Sequence, residues 1–374
     1  MTGRRHRILN YAINGIGVGH LTRLFAISEA LRARLQAAGR DADIFFLTTS
    51  EGDALLRGRG YPCFKLPSHE LVARSGMDPE EYEFLGREWM HAGIELFAPD
   101  LLVVDTVPSG AFGELMPGAG DALSFCRRKA FVYRPVRPEV AAAPEFRSML
   151  RRYDLILVPD SEEQAGVIVP PDLAGQVRFV GPVFNVDREQ ALPREEARRE
   201  LGLSQDAFAV YLTTGGGGYE SAEARLCSAV DALAPLEGVE VVAAAGPLYS
   251  GRQPGLANVK WTRELGAART LQAFDLAVSG AGYNSFHELM YLGVPTIFVP
   301  MPASVDDQRG RALRAQAAGA GALLDPGLPP EALRAEVERW RHPGRLRAAS
   351  EAARALVPEN NAAAAAEELA RLLP

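Results

Sequence analysis

The sequence predicts an α/β chain built as two doubly wound parallel-sheet domains in tandem. Three observations carry that prediction: short β-rich apolar runs alternate with longer stretches of helical periodicity, the cycle stalls once and restarts, and a glycine-rich turn follows a strand candidate in each half. At 374 residues, 47% hydrophobic and 23% charged, the chain has material for two cores rather than one.

In the first half the strand candidates are RILNYAI, ADIFFLTT, DLLVVD, KAFVYR and DLILVP. Each is short and rich in Val, Ile, Leu, Phe or Tyr, as strands buried on both faces should be. Between the first two, LTRLFAISEALRARLQAAG repeats apolar residues at helical spacing and stops at Gly39, a glycine suited to a helix C-terminus. The pattern stalls at VRFVGPVFNVDREQALPREEARRELGL, where Gly181, Pro182 and Pro193 punctuate a polar segment and a helix with an acidic start follows. The domain boundary is placed there, giving domains 1–182 and 183–356 and a terminal segment 357–374. The cycle restarts with AFAVYLTTGGGG, VEVVAAAG, DLAVSG and PTIFVP. From Pro329 onward the chain is rich in Ala, Glu and Arg, and the alanine run near Ala362 reads as helix because Ala is the best helix former.

A formal net charge of −7 argues against a general nucleic-acid binder, which needs a basic surface to displace counterions from phosphate. Cys63, Cys126 and Cys227 are isolated, with no CxxC spacing, so neither a disulfide framework nor a zinc site is expected and a reducing cytoplasm fits. The basic N-terminus lacks a signal-peptide core, and no apolar run reaches about 18 residues. A soluble cytoplasmic protein is expected, with peripheral membrane contact left open.

In a parallel α/β sheet, ligands sit beyond the carboxyl ends of the strands, where glycines let backbone approach them. Gly15, Gly17 and Gly19 follow the first strand in that position, directly before His20. A dinucleotide fingerprint would read GxGxxG and end its second strand in an acid. Here the spacing is GxGxG and the second strand ends in Thr48, Thr49 and Ser50, so NAD is disfavoured. His20 either takes a proton from a substrate hydroxyl or amine or merely hydrogen-bonds at a helix start; the sequence leaves both open.

In LTTGGGGYES, Thr213, Thr214 and four successive glycines lie between a strand and a helix. Unpaired N–H groups there, with hydroxyls beside them, suit a diphosphate, while the absent GK[ST] ending gives no indication of ATP hydrolysis; a flexible linker is the alternative. The richest segment is DLAVSGAGYNSFHELMYLGVPTIFVPMPASVDDQ. Its glycine turn opens a helix on which Asn284 and Glu288 share one face, and a carboxylate so placed either accepts both hydroxyls of a ribose or is simply a solvated helix charge; the sequence leaves both open. Asp306, Asp307 and Gln308 offer donors and acceptors for a polyhydroxylated ligand, or else a helix cap.

On these residues the chain resembles the GT-B glycosyltransferases, in particular the branch of the peptidoglycan N-acetylglucosaminyltransferases and UDP-glucuronosyltransferases. The block SGAGYNSFHELMYLGVPTIFVP is the specific part, and GIGVGHLTR is similar to bacterial predicted glycosyltransferases. The resemblance implies two Rossmann-like domains facing across a cleft, with acceptor on the first and nucleotide-sugar donor on the second. It also implies that 357–374 pack back on the first domain. Carried onto this sequence, His20 is the general base of an inverting, metal-independent transfer, and Thr214, Gly215, Gly216 and Gly217 form the diphosphate turn. Gly280, Gly282 and Asn284 lie under the donor, Glu288 binds the ribose, and Asp307 and Gln308 hold the sugar hydroxyls. No cofactor is implied beyond the nucleotide sugar, which is a co-substrate.

Trp261 falls near the loop that holds the base in such enzymes and is read either as a stacking residue or as core. Gly17 and Gly19, with Asp105, Arg134 and Arg137 at strand ends, are the acceptor-side candidates, the arginines either suiting a carboxylate or phosphate of the acceptor or pairing with nearby acids. The expected activity is therefore transfer of a sugar from a UDP-sugar, or a dTDP- or GDP-sugar, to a hydroxyl or amine of a small or lipid-linked acceptor. A UDP-sugar 2-epimerase, a noncatalytic sugar-nucleotide binder and, more distantly, an NAD oxidoreductase are the alternatives.

Overall fold

The computed structural model describes residues 5–374 apart from 14–17, 119–120, 137, 219–220, 247, 264–266 and 302–305. By its internal contacts the chain forms two compact units, Met1–Phe184 with Asn361–Pro374, and Asn185–Asn360.

The first unit runs β1 (His6–Ala12), α1 (Gly19–Ala37), β2 (Ala42–Thr48), α2 (Ala54–Gly58), β3 (Cys63–Lys65), α3 (His69–Ser75), α4 (Pro79–Phe97), β4 (Leu101–Asp105), β5 (Arg128–Val132), α5 (Pro138–Ala142), α6 (Pro144–Leu150), β6 (Leu155–Val158) and β7 (Val177–Phe179). Its sheet has the order β3-β2-β1-β4-β5-β6-β7, with every pair parallel. β4 is buried at every position, which explains its unbroken apolar run before Asp105. The order reverses between β1 and β4, and the crevice beyond their carboxyl ends is where such a sheet places its ligand.

The second unit runs α7 (Arg194–Glu200), β8 (Phe208–Thr213), α8 (Ala222–Leu233), β9 (Val239–Ala244), β10 (Val259–Thr262), β11 (Leu276–Ser279), α9 (Tyr283–Leu292), β12 (Thr296–Phe298), α10 (Gln308–Ala317), β13 (Gly321–Leu323), α11 (Pro330–Trp340) and α12 (Pro343–Leu356). Its strand order, β10-β9-β8-β11-β12-β13, is again parallel throughout. Thr213 and Ser279 are register partners at the carboxyl ends of β8 and β11, the reversal point of this sheet. The core beneath them joins Val210, Leu212 and Val278 to Leu226 and Val230 of α8 and Val337 of α11.

The last helix, α13 (Ala362–Leu372), belongs to the first unit. Ala365, Ala366 and Leu369 enter one core with Leu24, Phe25 and Leu31 of α1, the alanines giving helix propensity and close approach together. Asn361 N donates to Pro182 O at 2.8 Å, and Arg34 of α1 pairs with Glu367 at 2.6 Å.

Candidate active site

In the first unit α1 starts immediately after the glycine-rich connection and places His20 in its first turn. One helical turn later Arg23 lies on the same face, because residues three apart are neighbours on a helix. Both reach Asp105 at the end of β4. Arg23 donates from Nε to Oδ2 at 2.9 Å and from Nη2 to Oδ1 at 3.0 Å, a two-point fork. His20 Nδ1 lies 3.5 Å from Asp105 Oδ1, with its side chain 14% exposed. Thr106, at φ 67°, donates its hydroxyl to Asp105 and accepts from Arg134 Nε at 3.0 Å. That left-handed backbone is uncommon for a β-branched residue and turns the chain sharply beneath the histidine.

Electrostatics follow from this geometry. Burial would raise the Asp105 carboxyl, but Arg23, then His20 and Arg134, hold it below its ordinary range. Burial lowers His20 to about 4; Asp105 opposes the fall, while Arg134 and Arg23 add to it. His20 is therefore neutral near pH 7 and has a carboxylate beside Nδ1, the arrangement that orients an imidazole and supports it once protonated.

Asp105, an acceptor-side candidate, is fully buried, held by Arg23 and beside His20. Gly19 is the first residue of α1, and a Cβ there would meet nothing within 4 Å, so open space adjoins the histidine. Gly17 and Arg137 lie outside the described residues.

The second unit builds two turns side by side. After β8, Gly215 and Gly217 adopt φ 85° and 77°, and Gly215 N donates to Thr213 Oγ1 at 3.0 Å. A Cβ on Gly217 would stand 2.0 Å from Ala245 O, and one on Gly246 2.4 Å from Gly215 O. Leu248 N donates to Gly216 O at 3.1 Å, so the residues after β9 brace the turn. Among the described residues the N–H groups of Gly216 and Gly217 and the Thr214 hydroxyl have no partner. These glycines hold a fixed, close-packed shape, as an anion cradle requires and a linker would not.

After β11 comes Ser279, 2% exposed with its hydroxyl unpartnered among the described residues, then Gly280, Ala281 and Gly282. Ala281 has φ 59°, and Gly282 caps α9 without any side-chain cap. The first N–H groups of a helix are unpaired donors at its positive end, and here no side chain neutralises them. Asn284 stands in that first turn. Glu288 lies one turn on, raised to about 7 by burial alone and without an ion pair among the described residues. A carboxylate so unmatched gains from donors such as a vicinal pair of hydroxyls.

Of the remaining donor candidates, Asp307 caps α10, its Oδ1 accepting from Gly310 N at 2.9 Å, so its contacts are those of a helix cap. Gln308 is 6% exposed and accepts from Met301 N at 2.9 Å, leaving its amide N–H₂ as the donating end. Trp261 donates Nε1 to Pro254 O at 3.1 Å and stacks on Tyr249 at 6.0 Å, which covers one ring face. A cavity of about 360 Å³ adjoins this region, lined in part by Thr213, Thr214, Ser279, Gly280, Arg225 and Met301. Sequence reasoning missed Arg23, Thr106, Ser279 and Gly246. Arg23 was legible in HLTR as a basic residue one turn after His20; the others depend on contacts distant in sequence.

Residues 265–369 match the glycosyltransferase family 28 C-terminal domain, a segment that begins before β11 and runs through α9 into α13. A UDP-N-acetylglucosamine--N-acetylmuramyl-(pentapeptide) pyrophosphoryl-undecaprenol N-acetylglucosamine transferase of Nocardioides sp. is 27% identical over 95% of this chain and 94% of its own length. A protein of the same name from Deinococcus deserti is 30% identical over 54% of this chain, a match spanning 60% of that relative. Among solved structures, the spinosyn forosaminyltransferase SpnP superposes with a TM-score of 0.68 at 15% identity, covering 99% of this chain and all (100%) of that one. MurG of Acinetobacter baumannii gives 0.59 at 16% identity, covering 98% and 100%. The chain is a glycosyltransferase of the GT-B fold. It resembles the peptidoglycan N-acetylglucosaminyltransferases along nearly its whole length. No described helix of this glycosyltransferase is long and apolar enough to cross a membrane.

Proposed function

We propose that this glycosyltransferase is an inverting enzyme that takes a sugar from a nucleoside diphosphate sugar, a UDP-sugar foremost, and delivers it to a hydroxyl or amine of a lipid-linked or small acceptor. The observation that carries the reading is the composite site of the second unit. An uncapped helix N-terminus, a braced glycine turn and a half-buried carboxylate one turn along α9, the turn's N–H groups without partners and the carboxylate without an ion pair among the described residues, match, in order, a diphosphate and a ribose. The names of the relatives, which specify a UDP-sugar and an undecaprenol-linked acceptor, support the same classes here.

In this mechanism Glu288 accepts the ribose hydroxyls and the two turns hold the diphosphate. As the bond from the anomeric carbon to the departing diphosphate lengthens, negative charge grows on the leaving oxygen, where preorganised N–H donors are most effective. His20 receives the acceptor proton on Nε2. Because burial lowers its basicity, it takes that proton as the new glycosidic bond forms and the hydroxyl becomes acidic. Asp105, clamped by Arg23, then faces an imidazolium instead of a neutral ring.

Thermal denaturation with UDP, dTDP, GDP, ADP and NAD tests the donor assignment. A ligand at a hundred times its Kd stabilises by about 2.7 kcal/mol, which moves melting by several degrees. The expected result is a response to UDP that Glu288→Ala abolishes. A response to NAD alone contradicts the proposal.

A further inference from the structure

We infer that Arg311 is a positioning residue for the donor diphosphate: it sets the orientation of the peptide that opens α9. The inference rests on the donor reading above and adds a residue outside the expected donor set.

Arg311 lies on α10 and is 6% exposed, yet its guanidinium reaches two separate segments. Nε donates to Ala281 O at 2.9 Å, and Nη2 pairs with Asp306 Oδ2 at 2.5 Å. Ala281 holds φ 59°, a left-handed conformation that an alanine adopts only at a cost and that its surroundings must enforce. It is fully buried between two glycines. The bond from Arg311 is the polar contact that engages its carbonyl.

The consequence follows from peptide geometry. In a planar trans peptide the C=O and the next N–H point in opposite directions. Drawing Ala281 O onto Arg311 therefore aims Gly282 N–H away from α10. That N–H has no partner among the described residues, and a Cβ on Gly282 would meet nothing within 4 Å, so open space adjoins the start of α9. Without the guanidinium the peptide is free to rotate and withdraw the donor. The second arm, to Asp306, ties the same guanidinium to the residue two before Gln308. One buried cation thus fixes the diphosphate turn relative to the segment carrying Gln308. A fork is needed for this, since a lysine offers a point charge and satisfies one arm well.

Calorimetric titration of the full chain with UDP and, separately, with uridine tests the assignment. The proteins are the wild type, Arg311→Lys, Arg311→Met and Asp306→Asn, with melting temperatures recorded in parallel. Loss of a charge-assisted contact predicts UDP affinity about tenfold to a hundredfold weaker in Arg311→Met, with uridine affinity unchanged. Arg311→Lys should fall between the two, and Asp306→Asn should weaken UDP binding less than Arg311→Met does, because Nε still holds Ala281 O while the second arm is lost. Equal losses for UDP and uridine, or undiminished UDP binding in Arg311→Met, overturn the inference. Should Arg311→Met fail to fold, the UDP-to-uridine ratio in Arg311→Lys decides. A wild type that binds uridine and UDP equally, or neither, overturns the donor reading itself, which keeps the two failures distinguishable.

Discussion

Replacing Asp105 by Asn removes a charge at almost constant shape and separates the two tasks that this residue performs. Its carboxylate is fully buried and neutralises a guanidinium that is 1% exposed. Breaking a buried pair by removing one partner costs about 3–5 kcal/mol. At about 2–4 °C per kcal/mol for a domain of 150–250 residues, melting should fall by roughly 6–20 °C. The double variant Asp105→Asn/Arg23→Met removes both charges, and a buried pair replaced by groups of similar volume is about neutral, so most of the lost stability should return. Activity should not return with it. His20 would still lack the carboxylate 3.5 Å from Nδ1, and kcat should remain depressed by about 10²–10⁴-fold in both variants. Differential scanning calorimetry and initial rates on the same preparations give both quantities. Recovery of kcat together with melting temperature would refute the reasoning, because Asp105 would then act only by holding the fold.

His20→Ala should lower kcat by about 10²–10⁴-fold while leaving UDP affinity within error, since the proposed donor contacts lie in the other unit; calorimetry beside steady-state kinetics checks it. For Glu288, raised to about 7, ribose hydroxyls bind best to the ionised form, so UDP affinity should rise from pH 6 to pH 8. Glu288→Gln should flatten that dependence. Glu114, 2% exposed and also pushed by burial to about 7, accepts from Tyr11 and from Phe112 N. Its folded value lies above the ordinary 4.5, so the native state retains a proton that the unfolded chain has released. The stability it lends is full below about 4.5 and lost as pH rises to about 7; a Glu114→Gln melting series should lack that slope. Gly217→Ala would force a Cβ to 2.0 Å from Ala245 O at φ 77°, and should abolish UDP binding in titrations.

What the sequence disclosed and what it hid divide along physical lines. The nine strand candidates quoted from the sequence correspond to the central strands, whose burial on both faces writes a continuous apolar run. The four strands that periodicity did not expose, β3, β7, β10 and β13, are the edge strands of the two sheets. Each has only three or four residues, and an edge strand needs little apolar character, so VRF or VKWT carries hardly any signal. The glycine turns were legible because backbone that approaches a ligand or another backbone admits few residues besides glycine. Asp105 illustrates the opposite case. Its place at a strand end was legible, but its burial under Arg23 depends on α1 folding back over β4. Asp307 shows the same limit: an acid at a helix start reads as ligand or cap until the N–H of Gly310 is seen on it.

Transfer of a sugar with inversion can be followed in a single reaction. The protein is incubated with the UDP-sugar that gives the largest thermal response and with lipid-linked and small hydroxyl acceptors, and products are followed by mass spectrometry and by proton NMR of the anomeric coupling. Released UDP should match glycosylated acceptor mole for mole, the new linkage should carry the configuration opposite to the donor's, and His20→Ala should suppress both. Conversion of the donor to an epimer without any acceptor, or a product that retains the donor's configuration, would contradict the account.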